Sequence, residues 1–170
     1  IVLWKLISKE PRSMKPVMRL IEGFEITEIS IVPDDDDNLG YTEGEYILGG
    51  AELNLDLDFE EEYKPQAYSA VRILVGGIAA EKVINIDNDQ SLAGSLDDLY
   101  QAHDIIRNYV KMDEVAQTID QIIEEVGNIL SQPHNARAIE RLSEALLKDR
   151  KLSGEEATTI IRKALNIGSN

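Results

Sequence analysis

The 170-residue sequence contains no cysteine. Disulfide bonds, thiolate metal sites and a thiol nucleophile are therefore excluded for these residues, and the composition suits a reducing compartment such as the cytoplasm. Basic residues are also scarce, with 17 lysines and arginines against 32 aspartates and glutamates, for a formal net charge of -15. Such a chain repels phosphate backbones and anionic lipids, so we expect no nucleic acid partner and no direct membrane binding.

Long apolar runs are missing as well. No stretch of 18 or more apolar residues occurs, so the sequence predicts no membrane-spanning helix. The first segment, Ile1 to Ile7, has a short helical pattern that stops before Pro11 and Pro16, and it lacks the features of a signal peptide. Because this pattern begins without a capping residue, we expect the natural start of the helix to lie upstream of Ile1.

Three motifs of common enzyme sites are also lacking. The sequence contains no Gly-x-Ser-x-Gly elbow, no phosphate-binding Gly-x-x-x-x-Gly-Lys-Ser/Thr loop and no His-Glu-x-x-His. The only histidines, His103 and His134, lie on different predicted helices without the spacing of metal ligands. We interpret both as partly exposed helix residues.

Helical periodicity dominates what remains. Between residues 60 and 165, apolar residues recur three and four positions apart, which predicts successive helices, with a polar loop over residues 85–95. The last helix has a clear start signal. Ser153 is predicted to cap its exposed amide groups while Glu156 bonds back to the chain, in the arrangement known as a capping box.

Two short strands are predicted in the first part of the chain. One covers the β-branched run over residues 24–32, and the other covers residues 40–47. We therefore predict a mainly α fold with a small β element near the N-terminus. It is expected to form one domain over residues 1–170, with a helix remnant and short β region in 1–50 and a helical bundle in 60–165.

Four consecutive aspartates, Asp34 to Asp37, follow Pro33. Converging carboxylates can chelate a calcium or magnesium ion. Neighbouring residues in an extended loop cannot all point the same way, however, and a block of like charge is usually solvated. We favour a solvated turn.

A second acidic segment superficially matches a calcium-binding loop. Asp87, Asp89, Ser91 and Asp98 occupy positions 1, 3, 5 and 12 of a twelve-residue window. Leu92 stands where the sharp turn needs glycine, and the side chain of Asp98 is shorter than the usual bidentate glutamate. A calcium-responsive or adaptor protein is therefore a disfavoured alternative.

Adjacent glycines, Gly76 and Gly77, interrupt a strong helical pattern. Each glycine inside a helix costs about 1 kcal/mol relative to alanine, so a compensating role is expected. One role is close packing of two helices, and the other is approach of the backbone to a binding site. The periodicity favours close packing.

Several motifs, in order, carry a resemblance to a known family. They are Glu28–Pro33 with Leu39–Thr42, the Gly-Gly-x-Ala-Ala-Glu helix within Leu74–Ile84, Ala93–Leu99, and the terminal segments Ile139–Leu147 and Leu152–Glu156. Together they resemble the peptidase domain of the FtsH family of ATP-dependent zinc metallopeptidases. The resemblance runs from about Ile26 to Ile161.

The resemblance implies a zinc site. In the family, two histidines of His-Glu-x-x-His and one aspartate hold the metal, and the glutamate activates water for attack on a peptide carbonyl. Asp98 matches the aspartate ligand and is expected to open a helix or lie just inside it. The implied partners are polypeptide substrates, further copies of the chain in a homo-oligomer, and an AAA-type ATPase module upstream or in trans.

The sequence departs from the family pattern at three places. His-Glu-x-x-His is absent, and Ile1 stands about where the family continues after the second histidine; we favour truncation over loss of the motif. The segment Ser8 to Gly23 is longer than usual, and the join between Val110 and Val115 is shorter.

The resemblance thus predicts a zinc-dependent endopeptidase domain acting on unfolded or damaged polypeptides. The alternative is a noncatalytic FtsH-like scaffold or oligomerisation domain.

Overall fold

The computed structural model describes residues 14–32, 41–43, 63–84 and 96–166, most of which are helical. The α-helices are α1 (Met14–Ile21), α2 (Lys64–Leu74), α3 (Gly76–Ile84), α4 (Leu96–Ile106), α5 (Val115–Leu130), α6 (Pro133–Asp149) and α7 (Gly154–Leu165), and a short 3-10 helix covers Met112–Glu114. The strands are β1 (Glu28–Ser30), β2 (Tyr41–Glu43) and β3 (Lys151–Ser153). The predicted mainly α fold with a small β element is confirmed. The predicted helix over residues 1–7 lies outside the described residues.

The chain groups into two compact units. The first combines Ile1–Glu52 with Leu130–Asn170, and the second is Leu53–Ile129. Within the first unit, α6 and α7 pack with α1 and with the strands. A periodic pattern shows that a helix has an apolar face but not which neighbour covers it. The single domain stays a prediction.

Within the first unit, β1 is the central strand of an antiparallel sheet with the order β2-β1-β3. Ile29 pairs with Thr42 on one side and with Leu152 on the other. Strand β3 was not predicted. It is only three residues long, and Leu152 is its single apolar residue, so no alternating pattern exists for sequence reasoning to detect.

Helix α1 was also missed, because Pro16 was expected to oppose a helix. The helix begins at Met14, which places Pro16 in its first turn. Proline is tolerated there because its missing N–H would have no partner within the helix. Val17 and Met18 are fully buried. The helix ends at Ile21, and the turn that follows contains Gly23, whose φ of 82° is left-handed and therefore suits glycine.

Helices α6 and α7 form an antiparallel pair joined through β3. Leu142, Leu146 and Ile161 are fully buried in this unit. The predicted capping box at the start of α7 is confirmed. The Ser153 hydroxyl accepts a hydrogen bond from the Glu156 N–H at 3.3 Å, and the Glu156 carboxylate accepts one from the Ser153 N–H at 2.9 Å.

Within the second unit, the continuous helix predicted through Gly76 and Gly77 is two helices. Val75 alone separates α2 from α3, and hydrogen bonds continue across it, from the Ala79 N–H to the Val75 carbonyl at 2.8 Å. Helix α2 packs against α4, and Arg72 Nε lies 3.4 Å from Glu125 Oε1 on α5.

In the described ranges, no helix combines the length and the apolar composition needed to cross a bilayer.

The close packing expected at the glycine pair is wrong for Gly77. Among the residues that the structure describes, a Cβ atom added at Gly77 would meet nothing within 4 Å. Gly77 belongs instead to the first turn of α3, next to the break between the two helices.

We therefore expect Gly77→Ala to stabilise the protein by about 0.5–1 kcal/mol, because alanine lowers the backbone entropy of the unfolded chain. Urea denaturation followed by circular dichroism measures the change. Gly23→Ala is the matched control with the opposite sign. Its left-handed backbone should cost about 1–2 kcal/mol for a residue with a side chain. Loss of stability in the Gly77 variant would contradict the prediction.

Candidate functional site

Asp98 lies in the first turn of α4, beside Asp97. Carboxylates are favourable in this position because the first amide groups of a helix are unpaired and its dipole is positive there. Ala102 and Ile106 are fully buried and hold the helix in place. Asp98 itself is half-buried, whereas Asp97 is exposed. The expected position of Asp98 just inside a helix is confirmed, and its role as a ligand stays a prediction.

The other candidate ligands are placed as follows by the described part of the chain. His103 lies on the same helix and is exposed, and Asp104 pairs with Arg107 at 3.2 Å. His134 is exposed on α6, in the first unit. Across residues 14–32, 41–43, 63–84 and 96–166, no three histidine, aspartate or glutamate side chains are grouped so that they could hold a metal ion. A structural or catalytic zinc ion needs at least three protein ligands.

Several predicted features lie outside the described residues. These are the aspartate tract Asp34–Asp37, the polar loop over residues 85–95 and the first three members of the calcium-like pattern, Asp87, Asp89 and Ser91. The cation-binding interpretations of both acidic segments therefore stay predictions. Asp98, the last member of that pattern, is helical.

The capping box gives Glu156 the clearest electrostatic perturbation among the described carboxylates. Its pKa is lowered, first by the hydrogen bond from the Ser153 N–H and then by the hydrogen bond from the Ser153 hydroxyl, 2.8 Å away. Both bonds favour the ionised form. The pKa of Glu156 is therefore lower in the folded protein than in the unfolded chain. The stabilisation that the ionised Glu156 provides is fully present above the pKa of the unfolded chain. It is lost as the pH falls through the pKa of the folded protein.

We expect the free energy of unfolding to fall more steeply below about pH 4 in the original protein than in Glu156→Gln, because glutamine keeps a capping acceptor that does not titrate. Urea denaturation at a series of pH values measures both profiles. Glu155→Gln is the control, since Glu155 is exposed on the same turn but outside the capping box. Superimposable profiles for the original protein and Glu156→Gln would contradict the prediction.

Two grooves on α6 and α7 were not predicted. The basic groove, of about 410 Å³, is lined by Arg137, Arg141, Ile160, Lys163, Ala164 and Asn166. The acidic groove, of about 330 Å³, is lined by Ala145, Asp149, Leu152, Glu155, Glu156, Thr159 and Ile160. The spacing of Arg137 and Arg141, one helical turn apart, is a local signal for two of these cations, but it does not place Lys163 of α7 beside them.

No protein-family model matches the chain, and no curated protein matches it. The resemblance to the FtsH family therefore rests on the ordered motifs alone.

Proposed function

We propose that this chain is part of a zinc-dependent endopeptidase of the FtsH type, which hydrolyses unfolded or damaged polypeptides in the cytoplasm together with an AAA-type ATPase. The observation that carries the proposal is the position of Asp98. It is half-buried in the first turn of a helix, where the resemblance requires the third metal ligand. The order of the other motifs along the chain supports the same assignment.

The setting of Asp98 suits a ligand. Two fully buried residues on α4, Ala102 and Ile106, anchor the helix, and α4 packs against α2. A ligand needs a rigid base, because small displacements of its oxygen atoms weaken a metal site. α2 leads through Val75 into α3, which carries the Gly-Gly-x-Ala-Ala-Glu motif. α2 is therefore in contact with both α3, which carries the glycine motif, and α4, which carries Asp98.

The remaining ligands must come from another segment. Bound zinc would supply a Lewis acid that polarises a peptide carbonyl and a water of lowered pKa. Of these 170 residues, Asp98 would hold it with a carboxylate oxygen. Two imidazoles four residues apart on one helical face would complete the protein ligands, and no His-Glu-x-x-His occurs in the sequence. The proposal therefore requires that motif upstream in the same polypeptide.

The test uses the complete reading frame, expressed with any residues encoded upstream of Ile1. We expect about one zinc ion per chain by metal analysis, and ATP-dependent cleavage of a denatured, fluorescently labelled polypeptide. Asp98→Asn should lose most of the zinc and the cleavage. Asp97→Asn is the matched control, because Asp97 is the adjacent carboxylate in the same helical turn. It should keep both.

Two outcomes would overturn the proposal of a peptidase. One is an upstream sequence without His-Glu-x-x-His, and the other is zinc content that is unchanged in Asp98→Asn. A full-length protein that folds without zinc would instead favour the noncatalytic scaffold. In that case the role of Asp98 would be limited to the favourable electrostatics of a helix start.

A further inference from the structure

The basic groove gathers three cations from two helices. Arg137 and Arg141 lie four positions apart on α6, and Lys163 lies on α7. Residues with this spacing share one face of a helix, so both guanidinium groups border the same groove. Among the residues that the structure describes, no carboxylate lines it. The groove is therefore a local excess of positive charge on a chain whose formal net charge is -15.

The same groove offers apolar surface. Ile160 and Ala164 lie four positions apart on α7, line the groove and are half-buried. Asn166 adds a side-chain amide that can donate hydrogen bonds. Sites for small molecules combine apolar walls with a few polar or charged groups and measure about 300–1,000 Å³. The basic groove, of about 410 Å³, has this composition and lies within this range.

We propose that the basic groove binds a small phosphate monoester that carries an apolar organic group. A guanidinium group presents paired N–H donors that match phosphate oxygens, and the lysine ammonium adds a compact positive charge. The organic group of the ligand lies against Ile160 and Ala164. The proposal is independent of the peptidase activity, since it uses neither Asp98 nor a metal.

The charge of the groove fits a dianion. Arg141 Nη1 lies 3.2 Å from Glu144 Oε2, so this carboxylate offsets one of the three positive charges. A local charge of about +2 remains, and a phosphate monoester carries about -1.5 to -2 at pH 7. A single carboxylate carries only half of the charge needed. The charge balance therefore favours a phosphate monoester over a monocarboxylate.

The length of the groove favours a small molecule over a polymer. Its lining on α6, from Arg137 to Arg141, covers about 6 Å at 1.5 Å per residue, and Ile160 to Ala164 covers the same length of α7. An extended peptide advances about 3.3 Å per residue, so only about two residues would fit. A longer polyanion would also meet the negative charge of the rest of the chain. A small ligand avoids most of it, because the Debye length is about 8 Å at 0.15 M ionic strength.

Titration of the 170-residue chain with phenyl phosphate, followed by the NMR shifts of the backbone amides, tests the proposal. We expect saturable shifts confined to the amides around residues 137–141 and 160–166, with a Kd between about 10 µM and 1 mM. Inorganic phosphate lacks the ring, and benzenesulfonate carries the ring with one negative charge. Each should bind at least about threefold more weakly than phenyl phosphate.

Arg137→Gln with Arg141→Gln should weaken the binding of phenyl phosphate at least about tenfold, because both guanidinium groups are lost. Arg107→Gln with Lys111→Gln is the matched control. It removes the same charge from exposed residues that lie outside the groove, and Arg107, like Arg141, forms an ion pair with a carboxylate three positions away. The control should bind phenyl phosphate within about twofold of the original protein. Circular dichroism should show the same helical signal in both variants.

Three results would overturn the proposal. The first is the absence of saturable shifts up to about 10 mM phenyl phosphate. The second is equal weakening by the two double substitutions, which would mean that the ligand responds only to the net charge of the chain. The third is tighter binding of a blocked tripeptide of one phenylalanine and two glutamates, which has a ring and two negative charges. That result would assign the groove to an acidic polypeptide instead.

Discussion

Gly154→Ala is expected to lower the free energy of unfolding by about 3 kcal/mol or more, because the new methyl group has no space. A Cβ atom at this position would lie 1.7 Å from the Ile26 carbonyl oxygen and 2.9 Å from the Thr27 Cα. Both are backbone atoms, so no side chain can rotate away. The Gly154 N–H also donates to the Thr27 carbonyl at 2.7 Å, which ties the start of α7 to the segment before β1. Separating the two segments to admit the methyl group would break this bond.

Urea denaturation of Gly154→Ala beside Gly77→Ala measures the effect with a matched control. Both glycines lie in the first turn of a helix, and the added methyl group is the same. Only the surroundings differ, since the added Cβ at Gly77 meets no described atom within 4 Å. A loss below about 1 kcal/mol in Gly154→Ala would contradict the close approach of α7 to residues 26 and 27.

Leu142→Ala is expected to cost about 2–5 kcal/mol, the range for emptying a fully buried leucine site. Leu142 is 0% exposed on α6 and is part of the core that joins α6, α7 and the sheet. Removal of the isopropyl group leaves a cavity that helices held by their neighbours close only in part. The midpoint of urea denaturation should fall while the slope of the transition stays the same.

Leu147→Ala provides the control on the same helix. Leu147 is 42% exposed, so truncation leaves no enclosed cavity and should cost less than about 1 kcal/mol. Equal losses in the two variants would mean that the buried face of α6 is assigned to the wrong residues. The pair therefore tests the orientation of α6 separately from its helical content.

The helices of the second half were predictable because their signals are local. The apolar spacing of Ile119, Ile122, Ile123 and Val126 indicated α5, and all four side chains are buried. The capping box at Ser153 and Glu156 was predictable for the same reason, since the interacting groups are three residues apart. Hydrogen bonds and side-chain contacts over three or four positions depend only on the chain itself.

Local rules were insufficient at three places. Pro16 was expected to oppose a helix, yet α1 places it in the first turn and buries Val17 and Met18 against its own unit. The three residues of β3 have little strand character, and their pairing with β1 supplies the missing hydrogen bonds. Gly77 was assigned to close packing, whereas the close approach occurs at Gly154. The strand β3 and the close approach at Gly154 depend on partners distant in sequence.

The candidate site was likewise predictable from the sequence only in part. The resemblance to the family indicated Asp98, and its predicted place just inside a helix is confirmed. That two imidazoles complete a zinc site with it stays a prediction. The grooves on α6 and α7 lay beyond the sequence pattern, since Lys163 joins Arg137 and Arg141 only after the two helices pack antiparallel.

The excess of negative charge, the helical periods and the capping of α7 could be read from the residues alone, because they follow from single residues or from neighbours within one turn. The tertiary structure decided the division into two units, the strand β3, the contact at Gly154 and the two charged grooves. These features require residues far apart in the chain to meet. These contacts depend on which apolar faces pack together, and the periodicity of the sequence does not specify that pairing.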